Sequence, residues 1–180
     1  MNIRERIFAY RFRKQPARQA IFPDFENVRS VLVLYESDLL EKNMVVKALR
    51  DELIRMDKDA VIWGYCDKKE ITTPILPQAR ILGKKDINLL GAPKEDVIND
   101  LTKRHYDLLI DLTQHPILPL KYVAMYARTN FRAGLRMEPA DPKGKEQPEL
   151  HDLLISTAPQ ESPRYLFDQI IKYLKMIHTK

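Results

Sequence analysis

The sequence predicts an α/β fold of three layers, in which a mostly parallel, Rossmann-like or flavodoxin-like sheet lies between two layers of helices. From Ser30 onwards, short apolar runs alternate with segments of helical spacing, an order typical of strands joined by crossover helices. The runs, such as residues 31–35, are continuously apolar, which favours parallel strands buried on both faces. A short basic helix precedes the sheet.

Five segments have the composition of buried strands. They are residues 30–35, 60–66, 106–112, 133–135 and 151–156. Helical spacing is found over residues 40–56, from Pro93 to Arg104, after Pro119, and from Ser162 to Ile177. Proline at the first helical position and a basic last turn agree with helix geometry and the helix dipole.

Two segments cannot be assigned to a strand or a helix from their sequence pattern. Residues 68–92 contain Pro74 and Pro77, which argue against a long central strand, although residues 79–82 are compatible with a short extended piece. The proline-rich segment 137–150 predicts a long loop, and loops of this length are usually either functional or mobile.

Composition narrows the class of protein. The chain has 180 residues, of which 44% are hydrophobic and 31% are charged, as in globular domains. It contains no apolar run of the roughly 18 residues needed to cross a bilayer, and we find no signal peptide. The one cysteine, Cys66, excludes an internal disulfide and is expected to be a small buried hydrophobe. We therefore expect a cytoplasmic protein.

The positive charge is concentrated at the start of the chain. Residues 1–22 carry one acidic residue, Glu5, and six basic ones: Arg4, Arg6, Arg11, Arg13, Lys14 and Arg18. The rest of the chain keeps 24 of the 30 basic and 24 of the 25 acidic residues, so it is neutral and argues against a domain-wide nucleic-acid surface. We divide the chain into a basic amphipathic leader, residues 1–29, and a single α/β domain, residues 30–180.

Three uses of the leader remain open. It docks on the core, lies on an anionic membrane surface, or contacts a protein partner or nucleic acid. A homo-oligomer is a further possible partner arrangement.

Polar side chains follow every predicted strand, and the carboxyl ends of parallel strands meet at one edge, where open α/β sheets bind ligands. From this edge we select the following ligand-binding candidates: Ser37, Asp38, Asp67, Thr113, His115 and Ser156. His115 is the best candidate for a general acid or base, because imidazole titrates near neutral pH. Strand-end loops and helix caps also favour Ser, Thr and Asp for purely structural reasons, so both interpretations stay open.

We expect neither a cofactor nor a metal. The first strand is followed by an acidic segment without glycine, residues 36–41, whose carboxylates would repel a diphosphate at the helix N-terminus. NAD and P-loop nucleotide binding are therefore rejected. The four histidines are scattered, and the chain has no Cys-x-x-Cys pair.

Asp107 and Asp111 point to the same face of one strand but lie about 13 Å apart, so they do not form a catalytic pair. Asp111 lies within an apolar run and needs a partner there. We expect a backbone turn or an arginine, Arg132 or Arg136, to supply it.

The strand over residues 106–112 and the segment Phe131-Arg132-Ala133-Gly134-Leu135 together resemble the N-terminal half of heptosyltransferase-type glycosyltransferases of the GT-B fold. The similarity covers about 30 of the 180 residues. The resemblance implies a Rossmann-like half-domain, here without the partner domain that binds the sugar nucleotide in those enzymes.

Over its whole length, the chain resembles a family of α/β proteins from Bacteroidetes that has no assigned activity. The matching features are Arg4-Glu5-Arg6, residues 85–91, the strand over residues 106–112 and the helix that contains Tyr165-Leu166-Phe167. This resemblance implies a fold and a cytoplasmic setting, but no mechanism.

The sequence leaves two hypotheses of function. The first is a non-enzymatic α/β binding or interaction module with the leader as a docking element. The alternative is a small-molecule-binding or transferase-like enzyme that uses the carboxyl edge of the sheet. We favour the first, while the question of enzymatic activity stays open.

Overall fold

A computed structural model of the protein describes residues 2–38, 41–67, 79–137, 148–157 and 162–176. Its central sheet has six parallel strands. The strands are Ser30–Glu36 (β1), Asp59–Tyr65 (β2), Ala79–Leu82 (β3), His105–Asp111 (β4), Arg128–Leu135 (β5) and Leu153–Ile155 (β6). Most of β1, β4 and β5 is buried on both faces, as the continuous apolar runs predict.

Helices cover both faces of this sheet. Within the described residues they are Ile3–Arg13 (α1), Glu41–Arg55 (α2), Glu95–Thr102 (α3), Leu118–Tyr126 (α4) and Pro163–Met176 (α5). Helices α2 and α5 contribute to one hydrophobic cluster, and α1, α3 and α4 contribute to the other. The predicted three-layer α/β fold is confirmed, and in the described ranges no helix is long and apolar enough to cross a membrane.

The strand order is β3-β2-β1-β4-β5-β6. The chain runs outward from β1 to β3, then returns to the other side of β1 and runs outward again to β6. Because β1 and β4 are neighbours, with Leu34 opposite Asp111, the connections leaving these two strands diverge. Their carboxyl ends therefore form the topological switch point, the usual position of ligand sites in such sheets.

Helix α1 docks on the core, which is one of the three uses predicted for the leader. Asn2 and Glu5 form a capping box at its start, each accepting a hydrogen bond from the other's amide. The Phe8 side chain is buried, and its ring centroid lies 4.9 Å from that of Tyr122 in an edge-to-face contact. The division of the chain between residues 29 and 30 stays a prediction.

The segment that joins α1 to β1 is also fixed to the domain. Arg18 pairs with Asp152, and the buried ammonium of Lys58 donates to the carbonyls of Phe25 and Val28 at 2.8 and 3.0 Å. Asp107 accepts hydrogen bonds from the backbone amides of residues 29 and 30. Burial alone would raise the pKa of this carboxyl, but the amide donors outweigh burial, and its pKa lies below the usual value.

Three predicted boundaries are wrong. Pro93 does not open α3, because it is extended in a bridge with Ile87, and Lys94 is the N-cap. Strand β5 begins at Arg128 rather than at residue 133, because pairing with β4 extends it through polar residues. Strand β6 has three residues rather than six. Most of the predicted loop 137–150 lies outside the described residues, as do Ile177 and residues 68–78. Strand β3 confirms the extended piece at 79–82.

Candidate functional site

The switch point brings together a histidine and a carboxylate that are 79 positions apart in the sequence. Glu36 ends β1, and His115 lies in the turn between β4 and α4. The His115 Nδ1 atom is 2.9 and 3.0 Å from the two carboxylate oxygens of Glu36. The His115 side chain is 73% exposed, whereas that of Glu36 is only 12% exposed. A largely covered carboxylate therefore holds an imidazole ring at the surface.

This contact decides which ring nitrogen is basic. An ionised carboxylate only accepts hydrogen bonds, so in the neutral imidazole Nδ1 carries the proton and donates to Glu36. The lone pair then resides on Nε2. A carboxylate that orients a histidine in this way favours acceptance of a proton or a hydrogen bond at the other nitrogen. Lys42 also pairs with Glu36, which balances the carboxylate's charge.

The turn between β1 and α2 is ordered by its own polar side chains. Tyr35 and Ser37 each donate a hydroxyl hydrogen bond of 2.8 Å to the amide oxygen of Asn43. Burial raises the pKa of Tyr35 to about 12, so this phenol is protonated and remains a donor at neutral pH. The side chain of Asp38 accepts a hydrogen bond of 3.0 Å from the amide of Lys42.

The position of Asp38 bears on nucleotide binding. Its carboxylate takes a backbone amide in the first turn of α2, a group that a diphosphate would otherwise use. A second anion at this helix end would meet both Asp38 and Glu36. The rejection of a dinucleotide or P-loop site stays a prediction from the sequence.

A second histidine–carboxylate pair lies below the surface on the neighbouring strands. Asp111 accepts hydrogen bonds from the Thr113 amide at 3.0 Å and from its hydroxyl at 2.7 Å. Its other oxygen is 3.1 Å from His151 Nε2, and both side chains are nearly covered, at 6% and 10% exposure. The prediction that a backbone turn or an arginine partners Asp111 is confirmed by the turn at Thr113, while Arg132 bonds to other groups.

Arg132 instead ties α4 to β5. It donates to the Thr129 hydroxyl at 2.9 Å and to the carbonyl of Ala127 at 3.0 Å. Burial, reinforced by the charge of Arg18, lowers the pKa of Arg132 to about 10. The guanidinium therefore remains charged at neutral pH and has a structural function.

Lys121 of α4 connects the Asp111 pair with the leader. The carboxylates of Glu5 and Asp111 both favour its charged form, but burial has the larger effect and lowers its pKa. Lys121 therefore interacts electrostatically with both Asp111 and Glu5 of α1. The Asp111 pair is nearly covered, whereas His115 faces solvent. The exposed His115 can meet a ligand without movement of the fold.

The structure brings four of the predicted site residues to the β1–β4 border. They are Ser37, Asp38, Thr113 and His115. Asp67, at the end of β2, is 74% exposed and pairs with Lys84 at 3.1 Å. Ser156 follows β6, which is two strands, or about 10 Å, away from β4. Ser156 is therefore not brought together with the others, whereas Asp67 follows the strand that pairs directly with β1.

The sequence reasoning missed the roles of Glu36, Lys42 and His151. Glu36 and Lys42 carry no local signal that identifies them as the surroundings of His115. Gly134 did provide a signal for His151, because glycine inside a strand often marks a close approach by another group. Within the described ranges, no three His, Cys, Asp or Glu side chains are grouped so that they could hold a metal ion.

Comparisons with known proteins give one match. The model of a family of unknown function, DUF6913, matches residues 4–177. No curated protein and no solved structure matches the chain.

Proposed function

We propose, from the premise that this chain belongs to the DUF6913 family of unknown function, that it is an α/β binding module for a small polar molecule. In this proposal the ligand binds at the carboxyl edge between β1 and β4. It carries a hydrogen-bond donor, such as a hydroxyl or an amine, which meets Nε2 of His115. Ser37 and Asp38 line the border on the β1 side, and the buried Thr113 lies beneath it on the β4 side.

The pairing of His115 with Glu36 is the observation that carries this proposal. A loop histidine with only a structural role would be expected to bond to its own turn. His115 is instead held by a side chain from another strand, while most of its ring stays exposed. This arrangement costs side-chain entropy at the surface, and it leaves the basic nitrogen directed away from Glu36 at the position where parallel sheets bind ligands.

A transferase-like enzyme at the same edge is the second candidate, with His115 as its general base. The oriented Nε2 favours it, since carboxylate–histidine pairs serve this purpose in many enzymes. The resemblance to a GT-B half-domain adds little support for activity, because Arg132 and Gly134, which carry the resemblance, serve packing. A cytoplasmic location and an origin of the family in Bacteroidetes remain proposals from sequence.

A thermal-shift screen with sugar nucleotides, nucleotides and small hydroxylated or acidic metabolites tests the binding function. We expect at least one class of compound to raise the midpoint of unfolding of the wild-type protein. The shift should disappear in His115→Ala, whose own stability should be nearly unchanged because the ring is exposed.

His105→Ala is the matched control. His105 is also an exposed histidine at a strand end, and its Nε2 lies 2.8 Å from Asn130 Oδ1, but it is at the opposite edge of the sheet. The shift should therefore persist in this variant. A shift that survives in His115→Ala, or no shift with any class of compound, would contradict the proposal.

A further inference from the structure

The outer face of α1 is basic and partly apolar. Because Phe8 and Ala9 point into the core, the opposite side of the helix faces solvent. Arg6, Arg13 and Lys14 are exposed there, together with Tyr10, which is 59% exposed. The Lys14 ammonium lies 5.5 Å from the centroid of the Tyr10 ring, so a positive charge and an aromatic ring are held together.

The domain does not neutralise most of the charge on α1 and the residues that follow it. Arg18 pairs with Asp152, and the guanidinium of Arg11 lies 5.9 Å from the centroid of the Tyr122 ring. Among the described residues, the remaining four cations form no ion pair. They are Arg4, Arg6, Arg13 and Lys14. The acidic residue of the segment, Glu5, caps the helix instead.

The docking of α1 argues against membrane insertion. An interfacial helix needs an apolar face to bury among the acyl chains, but Phe8 is committed to Tyr122 and the neighbouring core. Ile3 and Tyr10 are the large apolar side chains of α1 that remain exposed in the described structure. Two such side chains give too little apolar area for stable insertion.

An exposed aromatic ring among unpaired cations suits a different polyanion. Proteins bind single-stranded nucleic acid by contacting phosphates with Lys and Arg while bases stack on aromatic rings. Helical positions 6, 10, 13 and 14 lie on one side of α1. The rest of the protein carries no net charge, so a nucleic acid would be attracted to this small surface and not to the whole domain.

We propose that the outer face of α1 binds single-stranded nucleic acid. Arg6, Arg13 and Lys14 contact phosphates, and a base stacks on Tyr10. This site is separate from the carboxyl edge around His115. An experiment can therefore contradict one of the two proposals without affecting the other. The small number of phosphate contacts on α1 makes binding weak, and each contact adds only about 0.7 to the slope of log K against log salt.

Fluorescence anisotropy with a short labelled oligouridylate tests this inference in the full-length chain. The wild-type protein should bind at low ionic strength, and affinity should fall as salt rises. In Arg6→Gln/Arg13→Gln, the slope of log K against log salt should become shallower by about 1.4, because each lost phosphate contact removes about 0.7. Tyr10→Ala should weaken binding roughly 5- to 150-fold with little change in slope, as expected for a lost stacking contact.

Matched variants separate this surface from general charge effects. Lys47→Gln/Lys172→Gln removes the same charge from two exposed lysines of α2 and α5, and Tyr173→Ala removes a 44% exposed tyrosine from α5. Both variants should bind like the wild type. The inference is overturned if the wild type does not bind oligouridylate, or if the α1 variants bind as well as their controls. It is also overturned if phosphatidylserine vesicles or a duplex of equal length bind more tightly than the single strand.

Discussion

Gly134 shows how one residue of the Arg-x-Gly segment contributes to packing rather than to chemistry. A Cβ atom at this position would lie 2.7 Å from Nε2 of His151, closer than any real contact allows. The glycine lets the His151 ring lie against β5 and reach Asp111 on the next strand. A hydrogen bond between two nearly covered side chains therefore depends on the absence of a methyl group.

We predict that Gly134→Ala lowers the free energy of unfolding by about 1–3 kcal/mol, the usual cost of overpacking a core. The ring of His151 must move away from Asp111, which also leaves a covered carboxylate with fewer partners. Urea denaturation at neutral pH measures the change.

Gly83→Ala is the control for this substitution. A Cβ atom at Gly83 would meet nothing closer than the Asp86 carboxylate, at 3.9 Å, and its φ of −121° suits any residue. The free energy of unfolding of Gly83→Ala should differ from that of the wild type by only a few tenths of a kcal/mol. Equal losses in the two variants would contradict the role assigned to Gly134.

At the scale of the element, α1 depends on tertiary contacts. A helix of 11 residues is marginal in isolation, even with a capping box at its start. Its attachment rests largely on Phe8, which is 3% exposed and packs against Tyr122. Residues beyond the helix are held separately, through Arg18 and through the backbone bond from Ile21 to Asn130.

Phe8→Ala should therefore destabilise the protein by about 3–5 kcal/mol, as expected for a buried aromatic side chain replaced by alanine. It should also loosen α1 locally, so that trypsin cleaves at the arginines of the helix faster than in the wild type. Tyr10→Ala removes an exposed ring from the same helix. It should change neither the stability of the protein nor the rate of cleavage by trypsin appreciably. Comparable cleavage of both variants would show that Phe8 does not hold α1.

For the whole molecule, stability is expected to be greatest at the centre of the sheet. Strands β1 and β4 are paired on both sides, whereas β3 and β6 lie at the edges and have one neighbour each among the described strands. The amides of β1 and β4 therefore open only when the protein unfolds globally.

Native-state hydrogen exchange should find the slowest amides in β1 and β4. Those of β3 and β6 should exchange through lower-energy local openings. From slowest to fastest amide exchange, we expect β1 and β4, then β2 and β5, then the two edge strands. Amides of β6 that exchange as slowly as those of β1 would contradict this order.

Local patterns were sufficient to predict the strands at the centre of this molecule. The apolar runs of β1, β2 and β4 lie within one residue of their predicted positions because a strand covered on both faces must be apolar throughout. Strand β5 was predicted too short because Arg128 and Asn130 are polar. Its pairing with β4, not its composition, brings them into the sheet.

The candidate site was predictable only in part. His115 stood out because of its chemistry and its position after a strand. Its partner, Glu36, and the partnership of Asp111 with His151 join residues that are far apart in sequence. No periodicity or local motif encodes such a pair, since it exists only after the strands are ordered and registered.

The sequence by itself determined the layers of the protein: buried parallel strands, helices on both faces, and a basic first helix. Burial and secondary-structure period act along the chain, so the residues display them directly. The tertiary structure alone decided that β4 lies beside β1, that His115 faces Glu36, and which side of α1 remains in solvent. These outcomes depend on packing between segments that are distant in the sequence. The energy of such packing depends on the residues of both segments, so neither segment predicts it by itself.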